Sequence, residues 1–94
     1  MEIVWRRIAL EDLEELRRYI AEDNPAAAHR VRGAIRIAVE RLGSHPYSGR
    51  AGRVGGTREL VVPNTPYVVA YTVLDEQVVI LSVIHGARRW PDSF

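Results

Sequence analysis

The sequence predicts an α+β fold in which an antiparallel helical hairpin packs on a curved, mainly antiparallel sheet of three to four strands. Two changes in apolar spacing lead to this prediction. Residues 8–42 repeat with the helical period, whereas the short segment before them and the residues after 57 follow a strand-like pattern. The predicted element order is β-α-α-β-β-β. At 94 residues the chain is long enough for one domain, residues 1–94, and too short for two.

The N-terminal part is predicted to form a strand followed by an amphipathic helix. Glu2–Trp5 is the short opening strand. After it, Leu13, Leu16 and Ile20, joined by Ala9, fall on one helical stripe, and charged residues occupy most of the remaining positions. We therefore expect this helix to pack its apolar stripe against the sheet.

A second helix is predicted to begin at Pro25 and to run to about Leu42. Asn24 suits the N-cap position, and a proline suits the first helical position, where its missing N–H costs nothing. Gly43 is the expected left-handed C-cap. Gly33 in the helix interior costs about 1 kcal/mol relative to Ala, and we expect a close approach of the first helix to explain it.

The C-terminal half is predicted to supply most of the sheet. Ser44–Gly56 is rich in Gly, Pro and Ser and reads as a loop, and three strands follow it, at Thr57–Val62, Tyr67–Leu74 and Val78–His85. The last two strands are apolar on both faces, as in the interior of a sheet. Since two helices cover only one face, we expect the other face to be partly open, closed by curvature, or covered by another chain.

Composition excludes several classes of function. The chain has no Cys, its three His residues share no metal-ligand spacing, and no apolar run approaches membrane-spanning length. We expect no metal, no cofactor and no membrane association, and a cytoplasmic location. All 13 basic residues are Arg, yet the net charge is only +1, so we expect no direct specific DNA binding by this chain alone.

The residues that follow the last strand combine four side chains able to do chemistry or recognition. His85 can transfer protons, Arg88 and Arg89 can bind phosphate or carboxylate, and Trp90 can stack on a base or a partner side chain. A structural interpretation stays open beside the functional one: Trp90 closes the end of the sheet, an Arg pairs with an acid such as Glu59, and His85 caps the strand. We call these four residues the C-terminal cluster.

Several motifs occur in a set order along the chain: Ala9-Leu10-Glu11-Asp12-Leu13, Asn24-Pro25-Ala26-Ala27, Gly56-Thr57-Arg58-Glu59-Leu60, Pro66-Tyr67-Val68-Val69-Ala70-Tyr71 and His85-Gly86-Ala87-Arg88-Arg89-Trp90. Together they resemble the RelE/ParE superfamily of bacterial toxins, over essentially the whole chain. The resemblance implies the growth-inhibiting toxin of a type II toxin–antitoxin module. It also implies a cognate antitoxin whose flexible C-terminal segment wraps the toxin and which carries its own DNA-binding domain.

The resemblance also suggests where the antitoxin binds. Its apolar side chains would cover toxin surfaces that are otherwise open. The candidate contacts are apolar residues of the first helix and of the central strand, namely Leu13, Leu16, Tyr67, Val69 and Tyr71.

The superfamily divides into two mechanisms, and the strand residues favour one of them. Members that cleave mRNA on the ribosome carry cations on the central strands, whereas Glu59, Val61 and Val68 stand at those positions here. We therefore favour the ParE-like branch, whose members bind DNA gyrase and trap its cleaved-DNA state without catalysing a reaction. The alternative is a RelE-like ribosome-dependent endoribonuclease that uses a reduced set of catalytic side chains, namely His85, Arg58, Arg88 and Arg89. A degenerate toxin that survives only as a partner-binding module is a third possibility.

Overall fold

A computed structural model describes all 94 residues. The elements are β1 (Glu2–Trp5), α1 (Arg7–Ala21), α2 (Pro25–Arg41), β2 (Arg50–Ala51), β3 (Arg58–Val61), β4 (Tyr67–Leu74) and β5 (Gln77–His85). The α+β class, the helical hairpin and the mainly antiparallel sheet are confirmed. Neither helix combines the length and the apolar character that a membrane-spanning helix needs.

The sheet has five strands in the order β1-β5-β4-β3-β2, one more than the sequence predicted at most. The additional strand is β2, which lies within the predicted loop and pairs antiparallel with β3. It is held there by Glu59 of β3, whose carboxylate accepts hydrogen bonds from the Arg50 side chain and from the Arg53 backbone N–H. β1 is the exception to the antiparallel pattern, because it runs parallel to β5.

The ends of α2 confirm one predicted cap and correct another. The Asn24 side chain accepts a hydrogen bond from the Ala27 N–H at 3.0 Å, as expected of an N-cap. Gly43 is not the predicted left-handed C-cap. Leu42 ends the helix with right-handed backbone angles, and Gly56 is the only glycine with a positive φ. A Cβ on Gly33 would have no neighbour within 4 Å, so the expected close approach of α1 is also wrong.

One hydrophobic core lies between the helices and one face of the sheet. Its members are Ala9, Leu13, Leu16, Ile35, Val39, Leu42, Val62, Val69, Tyr71, Val78, Ile80 and Val83. Val69 and Tyr71 alternate along β4 and point towards the helices, so the residues between them point to the other side. We call the two sides the helix face and the far face of the sheet.

The far face is largely covered by the chain itself. Glu59, Val68, Ala70 and Ser82 lie on it, and each is at least 93% buried, although no helix packs there. Trp90, in the segment after β5 (residues 86–94, which we call the tail), and Arg53, in the β2–β3 connection, lie together next to Glu59 on this side. Of the three alternatives expected for this face, cover by another chain is therefore not needed at its centre, where this chain itself buries the side chains.

Candidate functional site

The C-terminal cluster does not form one site, because β5 and the tail send its members to different sides. His85 is the last residue of β5 and lies on the helix face opposite Tyr67 in the register. The two rings meet edge to face, with centroids 5.6 Å apart. His85 Nδ1 accepts a hydrogen bond from the Ala87 N–H at 3.1 Å, so the proton of the neutral ring is on Nε2. This contact matches the capping role considered from the sequence.

Trp90 lies over the far face. The Arg53 guanidinium stacks on its ring at 4.1 Å, and Arg53 Nε lies 3.7 Å from the Glu59 carboxylate. The indole N–H is buried and has no acceptor. Trp90 therefore acts as a cover for the sheet, and the acid Glu59 is paired with Arg50 and Arg53 rather than with the arginines of the cluster.

The reduced catalytic set of the endoribonuclease alternative is not assembled. Arg58 pairs with Tyr71 in the register, whereas His85 pairs with Tyr67. Tyr71 and Tyr67 are four residues apart on β4, so Arg58 and His85 are offset by about 13 Å along the strand direction. The Arg58 guanidinium is also engaged, since it donates to the Gly49 carbonyl at 2.7 Å and to the Tyr47 carbonyl at 3.3 Å.

The strand positions compared in the sequence share one surface. Val61 is opposite Val68 in the register and Glu59 is opposite Ala70, so all four side chains lie on the far face. None of them is a cation, and the single charged group is the buried carboxylate of Glu59, which is 2% exposed. These four side chains therefore offer no cation to a phosphodiester, and the guanidiniums nearest to them, those of Arg50 and Arg53, are paired with Glu59.

Two neighbouring cavities lie beside the C-terminal end of β5. The first, of about 440 Å³, is bordered by α1 and by the ends of β4 and β5, and its polar side chains include Tyr67, His85, Arg88, Asp12 and Glu15. Burial raises the pKa of the Tyr67 phenol, and the nearby Arg88 partly offsets this. The cavity thus brings a proton carrier and a guanidinium together, but two carboxylates border it as well.

The second cavity, of about 390 Å³, is bordered by the start of α1, the last residues of β5 and the tail. We call it the edge groove. Arg88 and Arg89 border it together with Arg6, a residue that the sequence analysis did not select. It exists because β1 ends at Trp5, so that β5 has no neighbouring strand on this side over its last residues.

Asp12 fills the place of that missing strand. Its Oδ2 accepts hydrogen bonds from the Val83 backbone N–H at 3.0 Å and from the Ser82 hydroxyl at 2.6 Å. Sequence reasoning missed this role, although a signal exists: Asp12 stands three residues after Ala9 and four before Leu16, so it lies on the inward-facing stripe of α1.

Four of the five residues expected to contact an antitoxin lie in the core. Leu13, Leu16, Val69 and Tyr71 are between 0% and 7% exposed, because α1 already packs against the sheet where they lie. Tyr67 is the exception, as it is half-buried and borders the first cavity. The large apolar side chains that are exposed include Ile8, Tyr19 and Ile37 on the helices.

Comparison with known proteins identifies what this arrangement is similar to. A model of the family described as the ParE toxin of the type II toxin–antitoxin system parDE matches residues 3–90. A protein named as a candidate toxin, Y4kP of Sinorhizobium fredii, is 44% identical over 95% of this chain and 92% of its own length. Toxin RelE2 of Caulobacter vibrioides is 37% identical over 93% of this chain and 97% of its own.

A solved structure agrees with these sequence matches. A chain of the chromosomal ParDE toxin–antitoxin system from P. aeruginosa superposes with a TM-score of 0.80 and 25% identity. The match covers 90% of this chain and 95% of the other.

Proposed function

The chain belongs to the ParE toxin family of type II toxin–antitoxin systems, and from this premise we propose that it arrests growth by binding DNA gyrase and trapping the cleaved-DNA state. It acts by binding and catalyses no reaction itself. A cognate antitoxin, encoded next to it, neutralises it by tight binding. Because gyrase works in the cytoplasm, the toxin acts there too.

The observation that carries the proposal is the far face of the sheet. Cleavage of a phosphodiester needs cations or hydrogen-bond donors aimed at the charge that develops, and each lost donor costs about 3 kcal/mol of transition-state stabilisation. Here the strand positions concerned hold Glu59, Val61 and Val68, and Trp90 with Arg53 lies over this face. A toxin with such a sheet is better suited to binding a protein target than to cutting RNA.

A second candidate function has two supporting observations. His85 and Arg88 border the same cavity as the Tyr67 phenol, and such a set could move a proton and hold a phosphate. The relative named RelE2 points the same way by its name. Against this, the carboxylates of Asp12 and Glu15 border the cavity and would repel an RNA phosphate.

The deciding experiment is controlled expression of the toxin without its antitoxin. We expect growth arrest with a DNA-damage response, intact messages, and loss of supercoiling when purified toxin is added to gyrase. New 5′ ends within translated messages, abolished by His85→Ala, would instead establish the endoribonuclease. No arrest at all would leave the chain as a partner-binding module.

A matched pair of variants tests Arg88 and Arg89, the two exposed arginines of the C-terminal cluster, as part of the surface used against gyrase. In the double variant Arg88→Ala/Arg89→Ala, we expect inhibition of supercoiling to weaken at least about tenfold, as for loss of charged contacts in a binding interface. Arg30→Ala removes another exposed arginine, on α2, and serves as the control. Equal potency of all three proteins would show that gyrase is bound elsewhere.

A further inference from the structure

We propose that the edge groove is the docking site for an acidic segment of the antitoxin that also carries apolar side chains. The inference rests on the proposed toxin–antitoxin function in requiring an antitoxin, but not on gyrase being the target. It assigns a role to Arg6, Ile8 and Phe94, which lie outside the motifs that carry the family resemblance.

The charge of the groove points to an acidic occupant. Arg6, Arg88 and Arg89 border it, all three are exposed, and none of them forms an ion pair within the chain. Asp12, whose side-chain carboxylate also borders it, already accepts from Ser82 and Val83. Guanidinium groups bind carboxylates through paired hydrogen bonds, so three free ones favour a segment with several Asp or Glu residues.

The apolar lining points to a polypeptide rather than to nucleic acid. Ile8 is 61% exposed and Phe94 is 39% exposed, and both border the groove beside Leu81. Exposed apolar side chains flanked by arginines are typical of a protein interface. A DNA backbone would use the arginines but would leave these side chains uncovered, because its affinity comes mainly from phosphate contacts.

The groove also restricts how the segment docks. An extended peptide commonly joins the free edge of a sheet through backbone hydrogen bonds. At β5 the Val83 N–H is already taken by Asp12, so the free edge is capped where the groove lies. The segment is therefore held here by its side chains, carboxylates on the arginines and aliphatic groups on Ile8 and Phe94.

The first experiment measures binding of full-length toxin to immobilised full-length antitoxin, taken as the adjacent gene product that restores growth. Each change of Arg6, Arg88 or Arg89 to Glu should weaken binding about tenfold, mainly through slower association. The wild-type association rate should fall between about 50 and 300 mM salt, whereas that of the triple variant should not fall and should rise if the glutamates repel the segment. Arg30→Glu on α2 is the control with unchanged affinity.

The second experiment tests the apolar half with a matched pair. Ile8 and Ile37 have similar exposure, 61% and 57%, but only Ile8 borders the groove. Ile8→Ser should weaken antitoxin binding about tenfold, as for loss of a buried apolar anchor, whereas Ile37→Ser should not. Circular dichroism checks that each variant is folded. We expect both to fold, because the two replaced side chains are exposed.

Several results would overturn the inference. Unchanged antitoxin affinity in the arginine variants would do so. An Ile37→Ser protein that loses as much antitoxin affinity as the Ile8→Ser protein would do so too. Binding of a short DNA duplex that depends on the three arginines, with antitoxin binding intact, would assign the groove to nucleic acid. Arginine-dependent self-association would assign it to a second copy of the chain. A toxin that fails to inhibit gyrase yet binds antitoxin through these arginines would refute only the proposed target.

Discussion

At the scale of single residues, Tyr71 shows how a buried polar group organises a loop. Its side chain is fully buried, and its hydroxyl donates to the Pro46 carbonyl and accepts from the Gly49 N–H, both at 2.9 Å. These bonds fix the loop that leads into β2. Gly49 is needed there, because a Cβ would lie 2.6 Å from the Tyr71 hydroxyl oxygen.

Replacing Tyr71 by Phe should therefore destabilise the protein by about 1–3 kcal/mol, since the buried Gly49 N–H loses its acceptor. The measurement is the free energy of unfolding in urea. Tyr47→Phe, which alters an exposed tyrosine, is the control and should change stability by less than about 0.5 kcal/mol. A Tyr71→Phe protein as stable as the wild type would show that the loop is not held by this hydroxyl.

The same residue gives a pH dependence with a definite sign. Burial raises the pKa of the Tyr71 phenol above its ordinary value of 10.0. The unfolded chain then ionises at lower pH than the folded one, so the stabilising difference is complete below about pH 10 and is lost as pH rises through the folded pKa. The decrease in unfolding free energy above about pH 10 should be smaller in Tyr71→Phe than in wild type.

At the scale of elements, the glycine inside α2 and the glycine just after it have unequal roles. Gly33 lies in the helix interior with free space where a Cβ would be. At Gly43, just after the helix, a Cβ would lie 3.2 Å from the Met1 carbonyl oxygen and 3.3 Å from that of Glu40. The N-terminal amino group also donates to the Gly43 carbonyl at 2.7 Å, so this glycine joins the chain terminus to the helix end.

The expected outcome is opposite for the two positions. Gly33→Ala should stabilise the protein by about 1 kcal/mol, because alanine has the higher helix propensity and meets no obstacle. Gly43→Ala should destabilise it, because backbone atoms must shift. Thermal unfolding monitored by circular dichroism measures both, and a destabilised Gly33→Ala would mean that α2 needs the glycine for packing that the structure does not show.

At the scale of the whole molecule, Asp12 connects the two layers of the fold. It lies on α1, and its hydrogen-bond donors, Ser82 and the Val83 N–H, are 70 and 71 residues away on β5. Both donors are buried, at 7% and 6% exposure. The contact lets β5 extend beyond the end of β1 without leaving that N–H unpaired, and it forms one wall of the edge groove.

Asp12→Ala should cost about 1–3 kcal/mol of unfolding free energy, because it leaves two buried donors without an acceptor. Glu11→Ala, on the exposed side of the same helix turn, is the matched control and should be close to neutral. A double-mutant cycle with Ser82→Ala should show coupling between the two residues. Strict additivity would mean that the hydroxyl contributes nothing to the contact.

Much of the fold was predictable, and the candidate site was not. Periodicity located both helices and the three C-terminal strands because these elements bury stripes or faces that the sequence displays directly. β2 was missed since two residues carry no period, and its pairing depends on the carboxylate of Glu59 from another strand. The C-terminal cluster was predicted as a unit, but the strand pleat and the turn after β5 separate His85 from Trp90.

The sequence by itself determined the class of fold, the N-cap at Asn24 and the family of the protein, because these follow from local spacing and from motif order. The tertiary structure decided which side chains are available to a partner. Leu13 and Tyr71 became core, Trp90 covered the far face, and Arg6 came to lie beside Arg88 and Arg89. Burial and long-range proximity depend on how the layers pack, and no local pattern records them.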